Sequence, residues 1–132
     1  MDLVSIRMIT DDLEHAVRFY EQVTGVAGVR YTPVFAELNL PSCTLAIGHT
    51  QTTQLFGTDS VRPADNHTVI IEFKVDDVDR EYERLQSIVD EWVQHPTTMP
   101  WGNRSILFRD PDGNLVNLFT PVTEAAIKKF NG

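Results

Sequence analysis

One stretch of this sequence occurs twice. IRMITDDLEHAVRFY begins at Ile6 and IEFKVDDVDREYERL at Ile71, and the pairs Ile6/Ile71, Asp11/Asp76, Asp12/Asp77, Leu13/Val78 and Glu14/Asp79 all stand 65 residues apart. Self-similarity at a fixed period marks a repeated supersecondary unit. In each copy an alternating segment runs into two aspartates and then into a helical pattern. The aspartates suit helix N-caps, because a short carboxylate accepts from the exposed first-turn N–H groups. Leu13, Val17 and Tyr20 then share one helical face, with Ala16 and Phe19 beside them, and Val78, Tyr82 and Leu85 repeat the arrangement. Gly25 is a clear stop for the first helix, whereas the second lacks such a glycine.

Two amphipathic helices can match by chance. The strands that follow in the same order argue that the repeat is real. In the first half they are roughly Val29–Tyr31, Val34–Leu40 and Thr44–His49; in the second, Trp92–Gln94, Arg104–Phe108 and Leu115–Thr120. Setting Leu45-Ala46-Ile47 against Leu115-Val116-Asn117 moves the offset from 65 to 70, so the second half carries about five extra residues, expected in the loop around His95–Trp101. The reading is an α+β chain of two βαβββ modules, 1–49 and 67–121, joined by a linker 50–66. A short helix closes the chain within 122–132, and the modules are expected to form one cup-shaped mixed sheet.

Two segments resemble the vicinal oxygen chelate superfamily of glyoxalases, bleomycin-resistance proteins and dioxygenases. DDLEHAVRFYEQVTGV is similar to that family's opening helix, with Phe19-Tyr20 and the terminating Gly25. LFRDPDGNLVNLFTP, from Leu107, is similar to its last two strands, joined by a turn at Asp110-Pro111-Asp112-Gly113-Asn114. The turn makes sense independently: proline presets φ, and glycine accepts positive φ without a Cβ clash. The resemblance spans roughly residues 3 to 121. Pro100-Trp101-Gly102 with Arg104, and Pro63–Asn66 leading to His67, are closer to the bleomycin-binding branch, whose members sequester a cationic glycopeptide in grooves of a homodimer. The fold also hosts lyases, isomerases and dioxygenases, so it does not dictate activity.

The resemblance implies four metal-ligand positions, one on the opening and one on the closing strand of each half. They fall here on Ser5, Ile70, Ile47 and Asn117. None is His, Asp, Glu or Cys, and two neutral oxygens compete poorly with water for a divalent cation. A one-residue slip of the closing strand substitutes Gly48, and His67 lies on the wrong side of an alternating strand. The expectation is a protein without metal or other cofactor.

Strand alternation nominates what lines the cavity instead. Ile6, Met8, Ile71, Phe73 and Val75 are expected on the helices; Ser5, Arg7, Ile9, Ile70, Glu72 and Lys74 are expected to face the cavity, joined by Leu45, Ile47, His49, Leu115, Asn117 and Phe119. Arg7 and Glu72 are equivalent by the 65-residue offset and could pair where relatives keep metal; alternatively both point to solvent. Phe35, Phe56, Trp101 and Phe119 are candidate aromatic walls, and Arg104 joins them as a ligand-binding candidate. Glu72 and His49 are the candidate acid–base residues.

The 132 residues carry a net charge of −8, with 19 acidic against 11 basic side chains, which argues against a nucleic-acid partner and is compatible with a cationic ligand. No run is long and apolar enough for a membrane span, and the N-terminus does not read as a signal peptide. A lone Cys43 supports neither an intrachain disulfide nor a cysteine cluster and is expected as a small buried apolar group. A cytoplasmic homodimer is the simplest setting, since a two-module sheet leaves edges open. Three functions follow: a metal-free small-molecule binding protein of the antibiotic-sequestering kind, a metal-dependent lyase, isomerase or dioxygenase with an atypical site, or a metal-independent acid–base enzyme.

Overall fold

A computed structural model describes residues 1–57 and 59–131. The chain divides into two compact units, Met1–Asn66 and the part comprising His67–Asp110 and Asn114 onward, with the turn tip 111–113 grouped with the first. Each unit has its own four-stranded sheet rather than a share of one continuous sheet.

The first unit runs β1 (Ser5–Thr10), α1 (Leu13–Thr24), β2 (Val29–Thr32), β3 (Phe35–Asn39) and β4 (Thr44–His49). Its strand order is β1-β4-β3-β2, with β1 and β4 parallel and the remaining pairs antiparallel. Asp12 caps α1, accepting the His15 N–H at 3.2 Å, and Gly25 ends it in the left-handed region at φ 73°. The helix buries Leu13, Ala16, Val17, Phe19, Tyr20 and Val23 against Ala36, Leu38, Leu45 and Ile47 of the sheet. Each such large apolar side chain contributes about 1.5–3 kcal/mol on leaving water.

The second unit repeats the plan: β5 (Ile70–Lys74), α2 (Val78–Arg84), β6 (Glu91–Thr98), β7 (Asn103–Arg109) and β8 (Leu115–Pro121), followed by α3 (Glu124–Asn131). Its order is β5-β8-β7-β6. Asp77 caps α2, accepting the Arg80 N–H at 3.2 Å. Without a glycine, α2 ends by tightening into a 3-10 turn, Leu85–Ser87, which drives Leu85 into the core at 0% exposure. At the Asp110–Asn114 turn, Asp110 accepts the Asn114 N–H and side-chain amide, both at 2.8 Å.

The extra length of the second half lies in two places. Eight residues separate Val29 from its partner Glu37, but thirteen separate Gln94 from Leu107. These five lengthen the strands as well as the loop: 95–98 belong to β6, and the turn occupies 99–102. A sixth lies between β7 and β8, where Leu107 and Asn117 are ten apart against nine for Glu37 and Ala46.

Candidate functional site

That sixth residue changes the reading of β4. Paired residues on adjacent strands share a face, and a slip of one moves every side chain to the other side. The register sets Ser5, Arg7 and Ile9 beside Thr44, Ala46 and Gly48, and these beside Asn39, Glu37 and Phe35. Leu45, Ile47 and His49 therefore lie on the helix side with Ile6, Met8 and Thr10, not with Arg7. Asn117 answers to Ala46, not Ile47. The sequence held the signal: Leu45-Ala46-Ile47 and Val116-Asn117-Leu118 each place one small or polar residue between two buried apolar ones.

On the open face of the first unit, Arg7 projects from the edge strand β1. Its guanidinium lies 5.9 Å from the Phe35 ring centroid and 5.7 Å from that of Phe56. Phe35 comes from β3, and Phe56 from a 3-10 stretch, Thr50–Phe56, within the segment read as linker. Gly48 permits this closure, because a Cβ there would stand 2.9 Å from Thr52 Oγ1 and 3.6 Å from the Phe35 ring.

His49 sits elsewhere. It borders an open cleft of about 580 Å³ in the first unit, with Asp11, Thr50, Gln54, Asp59 and Arg62 among the lining residues. Its Nδ1 accepts the Gln51 N–H at 3.0 Å, so a neutral ring carries its proton on Nε2 and can donate from there. Asp11 accepts from the Thr50 hydroxyl. Sequence reasoning missed this cleft because only folding of the 50–63 segment creates it.

The open face of the second unit carries the row Glu72, Asn117, Leu107 and Gln94. Asn117 Nδ2 donates to Glu72 Oε2 at 2.8 Å, which orients the carboxylate. Asn117 Oδ1 and Gln94 Oε1 are buried acceptors without a hydrogen-bond partner. Such an atom costs about 1–3 kcal/mol and favours an incoming donor. Beside them Phe119 is only 7% exposed, its ring 5.0 Å from Phe130 of α3, and Lys74 donates to Asn131 at 3.3 Å. The C-terminal helix thus covers the Phe119 end of this face, so Phe119 is packing rather than an open aromatic wall.

Two further candidates fall apart from that row. Arg104 shares its face with Thr120, whose hydroxyl accepts the Val78 N–H of α2. There Arg104 donates to both oxygens of Asp79, at 2.8 and 3.0 Å, and so is a sheet-to-helix tie on the opposite side from Glu72. The guanidinium holds the Asp79 carboxyl below its ordinary value, and Arg30 does the same to Glu14. Trp101 stands 66% exposed at the tip of the β6–β7 turn. Cys43 is half-buried rather than fully enclosed.

At the positions equivalent to one another on the opening and closing strands, the side chains are Ser5 and Ala46 in one unit and Ile70 and Asn117 in the other. A hydroxyl, an amide and two hydrocarbons do not suit zinc or a hard divalent cation. Among the described residues no group of three or more His, Cys, Asp or Glu side chains is placed to hold a metal. The donor chemistry does not fit the metal of metal-dependent relatives.

The repeated βαβββ plan coincides with a family match. The glyoxalase/bleomycin resistance protein/dioxygenase superfamily model matches residues 2–118. The chain belongs to this superfamily. The chain is 25% identical to the uncharacterized protein YraH of Bacillus subtilis, over 90% of this chain and 98% of that one. A superfamily structure from Nocardioides matches with a TM-score of 0.78 at 25% identity, over 94% of this chain and 85% of that one. One from Burkholderia phytofirmans matches at 0.82 and 18% identity, over 92% and 100%. These superfamily structures share the fold; activity follows from sites, not folds. No described helix is long and apolar enough to cross a membrane.

Proposed function

We propose that this superfamily member is a metal-free binding protein that sequesters a small organic molecule, as bleomycin-resistance proteins do, rather than transforming it. The observation that carries this reading is the donor set: Ser5, Ala46, Ile70 and Asn117 occupy the strand positions where a metal-dependent enzyme needs imidazoles and carboxylates. What remains on the open faces suits recognition: an arginine with two aromatic rings, and a carboxylate beside unpaired amide oxygens. A homodimer is part of the proposal, since β2 is an end strand exposed along all four residues and an uncovered edge invites pairing. Light scattering should give twice the 15.0 kDa chain mass.

The test is elemental analysis and native mass spectrometry on protein purified without chelator. The expected outcome is no stoichiometric metal and, where ligand is retained, an organic mass adduct. Added zinc, nickel or manganese should leave Tm unchanged, whereas an ion held at 100 times its Kd would stabilise the protein by about 2.7 kcal/mol. A metal bound one per chain through side chains of this protein would overturn the reading.

A second reading is a metal-independent lyase or isomerase in which Glu72 moves a proton. The 2.8 Å bond from Asn117 favours it, because one oxygen is held while the other stays available to a substrate C–H or O–H. Turnover lost in Glu72→Gln and unaffected by chelator would select this reading over sequestration.

A further inference from the structure

We propose that Arg7 is an anion receptor, and that the small molecule bound by this protein presents a flat, carboxylate-bearing group to it. The inference rests on the ligand-binding reading above and specifies the chemistry of the ligand.

Six of the eight arginines, Arg30, Arg62, Arg80, Arg84, Arg104 and Arg109, each stand within 4.0 Å of a carboxylate; among the described residues Arg7 and Arg18 have no such partner. In a chain with 19 acidic and 11 basic residues, carboxylates are plentiful. Arg7 nevertheless makes no ion pair with a carboxylate of its own unit, although Glu37 shares its row across Ala46. Its contacts are the rings of Phe35 and Phe56. A guanidinium over aromatic rings uses its flat π surface and keeps its in-plane N–H donors free, and that fork matches the two oxygens of a carboxylate. The rings also limit the rotamers Arg7 would otherwise lose on binding, and they offer apolar surface to the body of a flat ligand.

The placement is built rather than incidental. Arg7 projects from the middle of β1, Phe35 lies over the glycine at position 48, and the 3-10 stretch brings the Phe56 ring within 5.7 Å of the guanidinium. The net charge of −8 works in the opposite direction, drawing cations toward the protein as a whole. A local guanidinium that outweighs this field would make the Arg7 face discriminate by charge against the general trend of the surface.

Three isosteric probes separate these effects: benzoate, benzamide and benzamidine share a ring and differ in charge. Each is titrated into isotope-labelled protein and followed by NMR at the Arg7 Nε–H and the Phe35 and Gly48 amides. Benzoate is expected to saturate these shifts in the millimolar range usual for a fragment, with benzamide and benzamidine weaker by about 10- to 100-fold. Arg7→Gln should lose benzoate by the same factor, and Arg7→Lys, which keeps charge but not the fork, should fall by about 10-fold. Arg7 is exposed, so both variants should keep the wild-type amide spectrum elsewhere, which verifies their folding. Benzamidine binding as well as benzoate, unchanged benzoate affinity in Arg7→Gln, or no response to benzoate at about 10 mM would each overturn the proposal. If native mass spectrometry finds an organic adduct that Arg7→Gln retains equally, the sequestration reading stands and the role of Arg7 falls.

Discussion

The two units share a plan but differ on their open faces. In the first, Arg7 lies 5.9 and 5.7 Å from the Phe35 and Phe56 rings, and Ala46 and Gly48 keep the middle of the sheet bare. In the second, Glu72 is tied to Asn117, and α3 covers the far end through Phe119 and Phe130. The helix sides hardly differ. Leu45 and Ile47 of one answer to Val116 and Leu118 of the other, all at most 4% exposed. Packing density punishes change where side chains interlock, so the repeat survives there; an open face has no such constraint and diverges toward binding. Even the surface ties follow this pattern. Glu14 and Asp79 are equivalent helix residues, yet Glu14 takes its arginine from β2 and Asp79 from β7.

The contrast between the two sides of a sheet can be broken most forcefully at Ile47. Ile47→Asp buries an unpaired carboxylate against α1 and should cost more than about 4 kcal/mol, abolishing the folded state in a marginal domain. Glu37→Ala, one strand away on the open face, should stay within about 1 kcal/mol by urea denaturation. Similar losses for both would mean that the face assignment is wrong.

A smaller effect sharpens the difference between the ends of the units. Gly102 has φ +96°, and a Cβ there would stand 2.1 Å from Thr123 Oγ1 at the start of α3. Gly102→Ala should cost about 1–3 kcal/mol and loosen α3, read as faster amide exchange in 124–131 and a more mobile Phe119. Unchanged exchange there would show that α3 docks independently of the turn.

The helix starts should respond alike. Asp12→Ala and Asp77→Ala each remove an N-cap and should cost about 1 kcal/mol. A loss confined to one copy would break the equivalence of the two units at that position.

The smallest effect is on pH dependence. Glu14 and Asp79 have folded-state pKa values lowered by their arginines. Their stabilisation is present above the unfolded value, near pH 4, and is lost as pH falls through the folded value. Glu14→Gln and Asp79→Asn should therefore flatten the acid limb of Tm against pH below about pH 4. Both carboxylates are solvent-exposed, so the change at neutral pH should be slight. An acid limb unchanged in the double variant would show these ties contribute nothing.

The faces of the opening strands were legible in strand alternation, whereas those of β4 and the partners of Arg104 and Phe119 were not. Arg7, Ile9, Glu72 and Lys74 lie on the faces that period-two patterning assigns them. Leu45, Ile47 and His49 do not, because their assignment depended on counting residues through a loop from the other copy. The β7–β8 connection is one residue longer than its counterpart, and a strand has no tolerance for such an error. Arg104 and Phe119 were misplaced for a related reason: their partners, Asp79 and Phe130, are distant or opposite in sequence, and no local pattern names them.

By itself the sequence determined the duplication, the capped starts of both main helices, the α+β class and the neutral identities of Ser5 and Ile70 on the opening strands. These depend on residue identity or on periodicities of a few residues, which neighbouring positions are enough to express. Only the tertiary structure decided the phase of β4, the separation into two sheets, the covering of Phe119 by α3 and the ring pair around Arg7. Each of those depends on register carried through turns, and on contacts between segments whose meeting no local propensity encodes.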